Sequence, residues 1–249
     1  TTFTALSYAE LGSSIPAAGG GFLWVKEGLG GTQGFLAGWM NWFAYIVACA
    51  LYGLGFGRLA TELWIITGVP LPLSEHQLSL VFMLIVVGLF AYINSRGASE
   101  AGLIGSIVTI AKVVILSIFI GFGLYAMFNN PNWSDNFSAG MLPNGIGGVF
   151  VAMGMTFIAF EGYEIIAQSG EEVKNPKRNI PRAIFYSIGA VVIIYILIGF
   201  VVIGAVTPPP GSAVWQYLAQ AKEVAIVRAA EQFIPMGGML ILISGLAST

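Results

Sequence analysis

From Phe157 to Arg182 the chain reads FIAFEGYEIIAQSGEEVKNPKRNIPR, an apolar helix that carries one glycine and two acids and then runs into a basic stop. Upstream, Gly145 to Ile166 is apolar and long enough to cross a bilayer, which takes about 20 residues at 1.5 Å each. Glu161 and Gly162 fall inside that span. A carboxylate at mid-membrane costs roughly 2.5 to 3.5 kcal/mol, so it is expected to face protein or water rather than lipid. Gly162 weakens a helix by about 1 kcal/mol relative to alanine. Together they predict a helix that breaks at membrane depth, where freed backbone carbonyls become ligands if they line a cavity. The residues alone leave an even alternative: Gly162 as a close-packing point, with Glu161 paired to a neighbouring helix.

The rest of the chain fits a membrane setting. Hydrophobic residues make up 57% of it and charged residues 9%, with a mean hydropathy of +0.84. A soluble domain carries about 25% charged residues, so this is a polytopic membrane protein of all-α class. The net charge of −2 and the dispersed basic residues exclude a nucleic-acid partner. One cysteine, Cys49, excludes an internal disulfide, and one histidine, His76, excludes a histidine-based metal cluster. Neither a metal nor a cofactor is expected. The chain begins at Thr1 and stops at Thr249, each within an apolar stretch, and reads as a fragment with no removable signal peptide.

Further spans are expected at Phe35 to Leu54, Leu78 to Ile93, Gly102 to Phe128 and Ala183 to Val206, with a last one opening at Met236. Thr1 to Leu11 is too short to cross, and Gly12 to Gly21 is dense in glycine, serine and proline, which marks a loop. Arg58 to Gln77 reads as a loop with a short helix, in which His76 is a solvated histidine. Asn129 to Asn144 is polar without lysine or arginine, and reads as a non-cytoplasmic loop. Pro208-Pro-Pro210 ends the span before it, and Trp215 to Phe233 is amphipathic.

Two features within spans stand out. Trp42, Tyr45, Cys49 and Tyr52 recur in steps of three and four and so share a helical face, either an ordinary packing stripe or a substrate wall. Lys112 sits ten residues into its span and cannot easily snorkel to the interface. It is a proton switch in principle, or a fixed charge that cements helices.

Phe157-Ile-Ala-Phe-Glu-Gly-Tyr-Glu164, followed by Glu171-Glu-Val-Lys-Asn-Pro-Lys-Arg-Asn-Ile-Pro-Arg182, resembles the sixth transmembrane helix and following loop of amino acid permeases, in the amino acid, polyamine and organocation (APC) transporter superfamily. Tyr8 to Gly20 resembles the cytoplasmic end of that family's second helix, where Glu10 is either an inner-gate acid or simply solvated. The resemblance implies one transmembrane transporter domain over residues 1–249. It would cover the second to eighth helices of a five-plus-five inverted repeat, without the first helix and those after the eighth. It implies a multi-pass protein of the cell membrane, with an amino acid, a proton and the lipid bilayer as partners. The function implied is secondary active transport of amino acids by alternating access around the break near Gly162.

Residue by residue, the resemblance makes Phe157, Ile158, Ala159, Phe160, Glu161 and Gly162 the substrate-binding stretch. The carbonyls of Ile158 and Glu161 would hold the α-amino group, with Phe157 and Phe160 as walls or gates. Tyr45 and Cys49 on the third family helix join that pocket, while Lys112 and Glu164 are the proton-coupling candidates. Some exchangers of the family also carry a basic residue at the Lys112 place, so an uncoupled exchanger of amino acids or polyamines is the alternative. A channel or a membrane-embedded enzyme ranks lower, because no His-Glu-x-x-His, Gly-x-Ser-x-Gly or paired intramembrane aspartates occur. With the 171–182 loop placed inside, Lys26, Arg96, Lys174, Lys177, Arg178 and Arg182 are cytoplasmic against Arg58, Lys222 and Arg228 outside. That bias is the positive-inside signature.

Overall fold

The computed structural model describes residues 2–70, 73–96, 98–138, 142–160, 162–221 and 224–248. In chain order these form α1 (Thr2–Ser14), α2 (Gly20–Leu29), α3 (Gly31–Ile66), α4 (Glu75–Arg96), α5 (Ala98–Asn129), α6 (Asp135–Ser138), α7 (Gly145–Ile158), α8 (Tyr163–Gln168), α9 (Pro176–Ala205), α10 (Val214–Ala221), α11 (Ala225–Phe233) and α12 (Gly237–Ser248). No strand occurs among the described residues. Helices α3, α4, α5 and α9 are each long and apolar enough to cross a membrane. The protein is therefore an all-α polytopic membrane protein.

Two helices outrun their apolar stretches. Helix α3 continues to Ile66, where the sequence reading places a loop from Arg58. Arg58 and Glu62 end the lipid-compatible run, but Ala60 and Thr61 between them are buried, and the Thr61 hydroxyl donates to the Gly57 carbonyl at 2.8 Å. Packing thus carries the helix past the point where polarity would end a span. Helix α9 likewise starts at Pro176, within the expected basic loop. Proline suits a first helical position because its missing N–H has no intrahelical partner to lose.

The described chain falls into two compact units, one of residues 1–47 and 142–196, the other of residues 48–141 and 197–249. In the first, α1 and α2 pack on α8, around a core of Ala5, Ala9, Tyr163, Ile180 and Ile184. Gly12 lets α1 come close: a Cβ there would lie 3.2 Å from both Ala167 Cβ and Ile180 Cγ2. In the second, α5, α11 and α12 enclose Phe119, Met127, Val201, Val206 and Leu242. The C-terminal end of α9 is held there by Asn136, whose side-chain amide donates to the carbonyls of Ile203 at 3.0 Å and Val206 at 3.1 Å.

Candidate functional site

The span that opens at Gly145 does not stay helical. Helix α7 stops at Ile158 and α8 starts at Tyr163, so the helix is interrupted between them. The 14 residues of α7 reach about 21 Å, short of the roughly 30 Å of a hydrocarbon core. At its end the hydrogen-bond ladder tightens to three-residue steps. The Ala159 N–H donates to Thr156 at 3.0 Å, and the Phe160 N–H donates to Phe157 at 3.1 Å. Gly162 then turns to φ 118°, ψ −22°, left-handed backbone that a side chain disfavours. A Cβ on Gly162 would meet nothing within 4 Å, so backbone conformation rather than crowding selects glycine there.

Tyr195 of α9 closes on the break. Its hydroxyl donates to the Ala159 carbonyl at 3.3 Å, and its ring lies 5.4 Å from that of Phe160, centroid to centroid. One carbonyl released by the break therefore already has a protein donor. Sequence reasoning passed over Tyr195, and the available signal was a lone hydroxyl in the apolar run from Val191 to Phe200. Phe157 is 42% exposed, and Ala159 is exposed as well. Glu161 and the side chain of Ile158 lie outside the described residues.

Below the break, α8 is gripped by aromatic and polar contacts. The Tyr8 ring meets Trp24 and Tyr163 edge-on, each at 5.3 Å, an arrangement favoured by ring quadrupoles. Glu164, Tyr163 and Tyr45 lie within electrostatic reach of the Tyr8 hydroxyl. The Gln168 amide donates to the Tyr45 hydroxyl at 2.7 Å, which joins α8 to α3. One residue turn further on, the Ala18 N–H donates to the Glu171 carboxylate at 3.0 Å and ties the α1–α2 loop to the loop after α8.

The sequence-predicted residues fall in both units. The 157–162 stretch, Tyr45 and Glu164 belong to the first unit, whereas Cys49 and Lys112 belong to the second. Cys49 is exposed and borders a crevice of about 330 Å³ between α3 and α4, with Tyr52, Val86, Phe90 and Asn94. Lys112 is half-buried on α5. His76 is exposed in the first turn of α4 and borders a cavity of about 370 Å³ with Arg58, Glu62 and Glu75. Among the described residues no group of three His, Cys, Asp or Glu side chains is placed to hold a metal ion.

Comparison with known proteins bears on the same stretch. The branched-chain amino acid permease BcaP of Lactococcus lactis subsp. cremoris (strain MG1363) is 30% identical over 263 residues, covering 96% of this chain and 56% of that protein. The glutamate/serine transporter AimA of Bacillus subtilis (strain 168) is 30% identical over 87% of this chain and 41% of its own length. The methylthioribose transporter of the same strain is 28% identical over 80% of this chain and 44% of its own. The chain spans about half the length of the curated relatives it matches. A sequence model of the family described as amino acid permease matches residues 2–249. With the broken helix and the basic loop after it both inside that match, the chain belongs to the amino acid permease family.

Proposed function

We propose that this chain forms part of a secondary transporter that moves amino acids across the cell membrane by alternating access around the break at 159–162. The observation that carries the reading is the unwinding itself, at a glycine held at φ 118° in the middle of an otherwise apolar span. A break of this kind concentrates polar backbone at membrane depth, where free carbonyls can receive the ammonium group of an amino acid. In this reading the carbonyls of Ile158 and Glu161 receive the ammonium group of the substrate. Phe157 and Phe160 wall the side chain, and Tyr195 fixes the Ala159 carbonyl so that the unwound turn keeps its shape.

Transport is coupled to protons in this proposal, with Lys112 as the switch and Glu164 as a relay or support. The relatives named for branched-chain amino acids and for glutamate and serine favour an amino acid cargo. The test is uptake of radiolabelled amino acids by the full-length protein in proteoliposomes, with and without an inward proton gradient. Accumulation is expected to rise about tenfold with the gradient, equivalent to roughly 1.4 kcal/mol. Lys112→Ala is expected to abolish that stimulation while counterflow exchange persists. A rate indifferent both to the gradient and to Lys112→Ala would establish the uncoupled exchanger instead.

A further inference from the structure

The inner half of the broken helix is fastened at one point that the transport reading does not use. Gln168, the last residue of α8, extends across the first turn of α2 and donates to the Tyr45 hydroxyl of α3 at 2.7 Å. Its path depends on Gly20. A Cβ at Gly20 would lie 2.5 Å from Gln168 Cγ, and the backbone there is left-handed at φ 47°. The triple glycine that sequence reading assigns to a loop therefore opens α2 at its contact with α8. On the outer side of the turn, Tyr195 donates to the Ala159 carbonyl at 3.3 Å and packs on the Phe160 ring. The break is thus a hinge with a short six-residue lever below it, and the Tyr45–Gln168 bond pins the far end of that lever.

The geometry points to Tyr45 and Gln168, seated on Gly20, as a latch that holds α8 against α2 and α3 and must open before the amino acid at the break can leave toward the cytoplasm. The assignment rests on the transport reading above, and it makes Tyr45 a positioning residue rather than a wall of the pocket. A hydrogen bond suits this role. It is strong enough to bias a short lever, because its net worth is a small multiple of thermal energy, yet weak enough to break in every cycle. The rings of Tyr8, Trp24 and Tyr163 stay packed beside it and limit how far the lever travels.

Hydrogen–deuterium exchange on the full-length protein in lipid nanodiscs reads the latch without any substrate. Tyr45→Phe removes one hydroxyl and Gln168→Leu removes the amide at similar volume. Each is expected to speed exchange over 163–168 about tenfold, the scale one hydrogen bond sets. The double variant is expected to go no further, since both changes break the same bond. Exchange over 183–196 should stay at its wild-type rate. In proteoliposomes, Tyr45→Phe should raise turnover severalfold with KM close to wild type, a split that loss of a binding contact does not give. Additive effects of the two variants, unchanged exchange over 163–168, or a rise spread equally into α9 would each overturn the latch. A wild-type protein that moves no amino acid, but still shows the non-additive exchange, would instead overturn the transport reading and leave the latch as a fastening of the fold.

Discussion

At Gly162 the main chain adopts a conformation that costs an alanine roughly 1 to 3 kcal/mol. Nothing lies within 4 Å of the Cβ that alanine would add, so the cost is purely one of backbone strain. Gly162→Ala is therefore expected to push 159–162 back toward helix rather than to unfold the protein. Amino acid binding, followed by scintillation proximity on the full-length protein, should weaken at least tenfold, while the melting temperature moves by only a few degrees. Unchanged affinity would mean that the unwound turn is not the binding element. Gly162 was legible in the sequence because a glycine beside an acid is conspicuous in an apolar run. Tyr195 and Gln168 were not, and Tyr45 was singled out as a pocket candidate without its bond to Gln168, since these contacts depend on partners 36 and 123 residues away. The sequence shows a tyrosine on a face but not the residue that faces it.

Among elements, the sequence predicts where apolar runs lie better than where helices end. The four long spans were legible from hydropathy, yet α3 and α9 extend beyond theirs because polar residues at a membrane surface can stay helical when they find partners. Arg228 of α11 is one such partner, bonded to Glu231 at 3.1 Å and to Glu62 of α3 at 3.3 Å. Its guanidinium is held above its ordinary value first by the hydrogen bond to Glu231 and then by that carboxylate's charge. These side chains are 46% and 27% exposed for the Arg228–Glu62 pair, and water screens such pairs to within about 1 kcal/mol. Glu62→Gln should accordingly shift the melting temperature very little. Asn136→Ala should do more, because it strips two carbonyls at the end of α9 of their donor at once. Asn136 and Val206 line a cavity of about 430 Å³ with Asn129, Asn132 and Gln232, large enough for water to take the place of the lost donor at Val206. The expected loss is therefore near the low end of the 1 to 3 kcal/mol range for an orphaned polar group. Thermal unfolding of the two variants in the same detergent checks the order.

For the whole molecule, the decisive issue is whether α7, the break and α8 together make one crossing. Helix α7 alone is too short to span, and an apolar segment with a break in it is equally compatible with a re-entrant loop that leaves on the side it entered. The 14 residues of α7 and the six of α8 together supply about 30 Å of helix at 1.5 Å per residue, the thickness of a hydrocarbon core. Each compact unit supplies an independent reason to prefer a crossing. In the first, the Ala18–Glu171 bond joins two loops that the charge bias places in the cytoplasm. In the second, Arg228 and Glu62 join two segments that the same bias places outside. A re-entrant α7–α8 would put Glu171 on the side of the Asn129–Asn144 loop, which lacks any lysine or arginine, and would leave Lys174, Lys177, Arg178 and Arg182 outside. Single cysteines in a full-length protein with Cys49 replaced decide between the two. Ser134→Cys and Lys177→Cys flank the segment at exposed positions. A membrane-impermeant maleimide added to intact cells should label only the first, and added to inverted vesicles only the second. Labelling of both from one side would show a re-entrant segment, and an alternating-access site at Gly162 would then have no second face to open to.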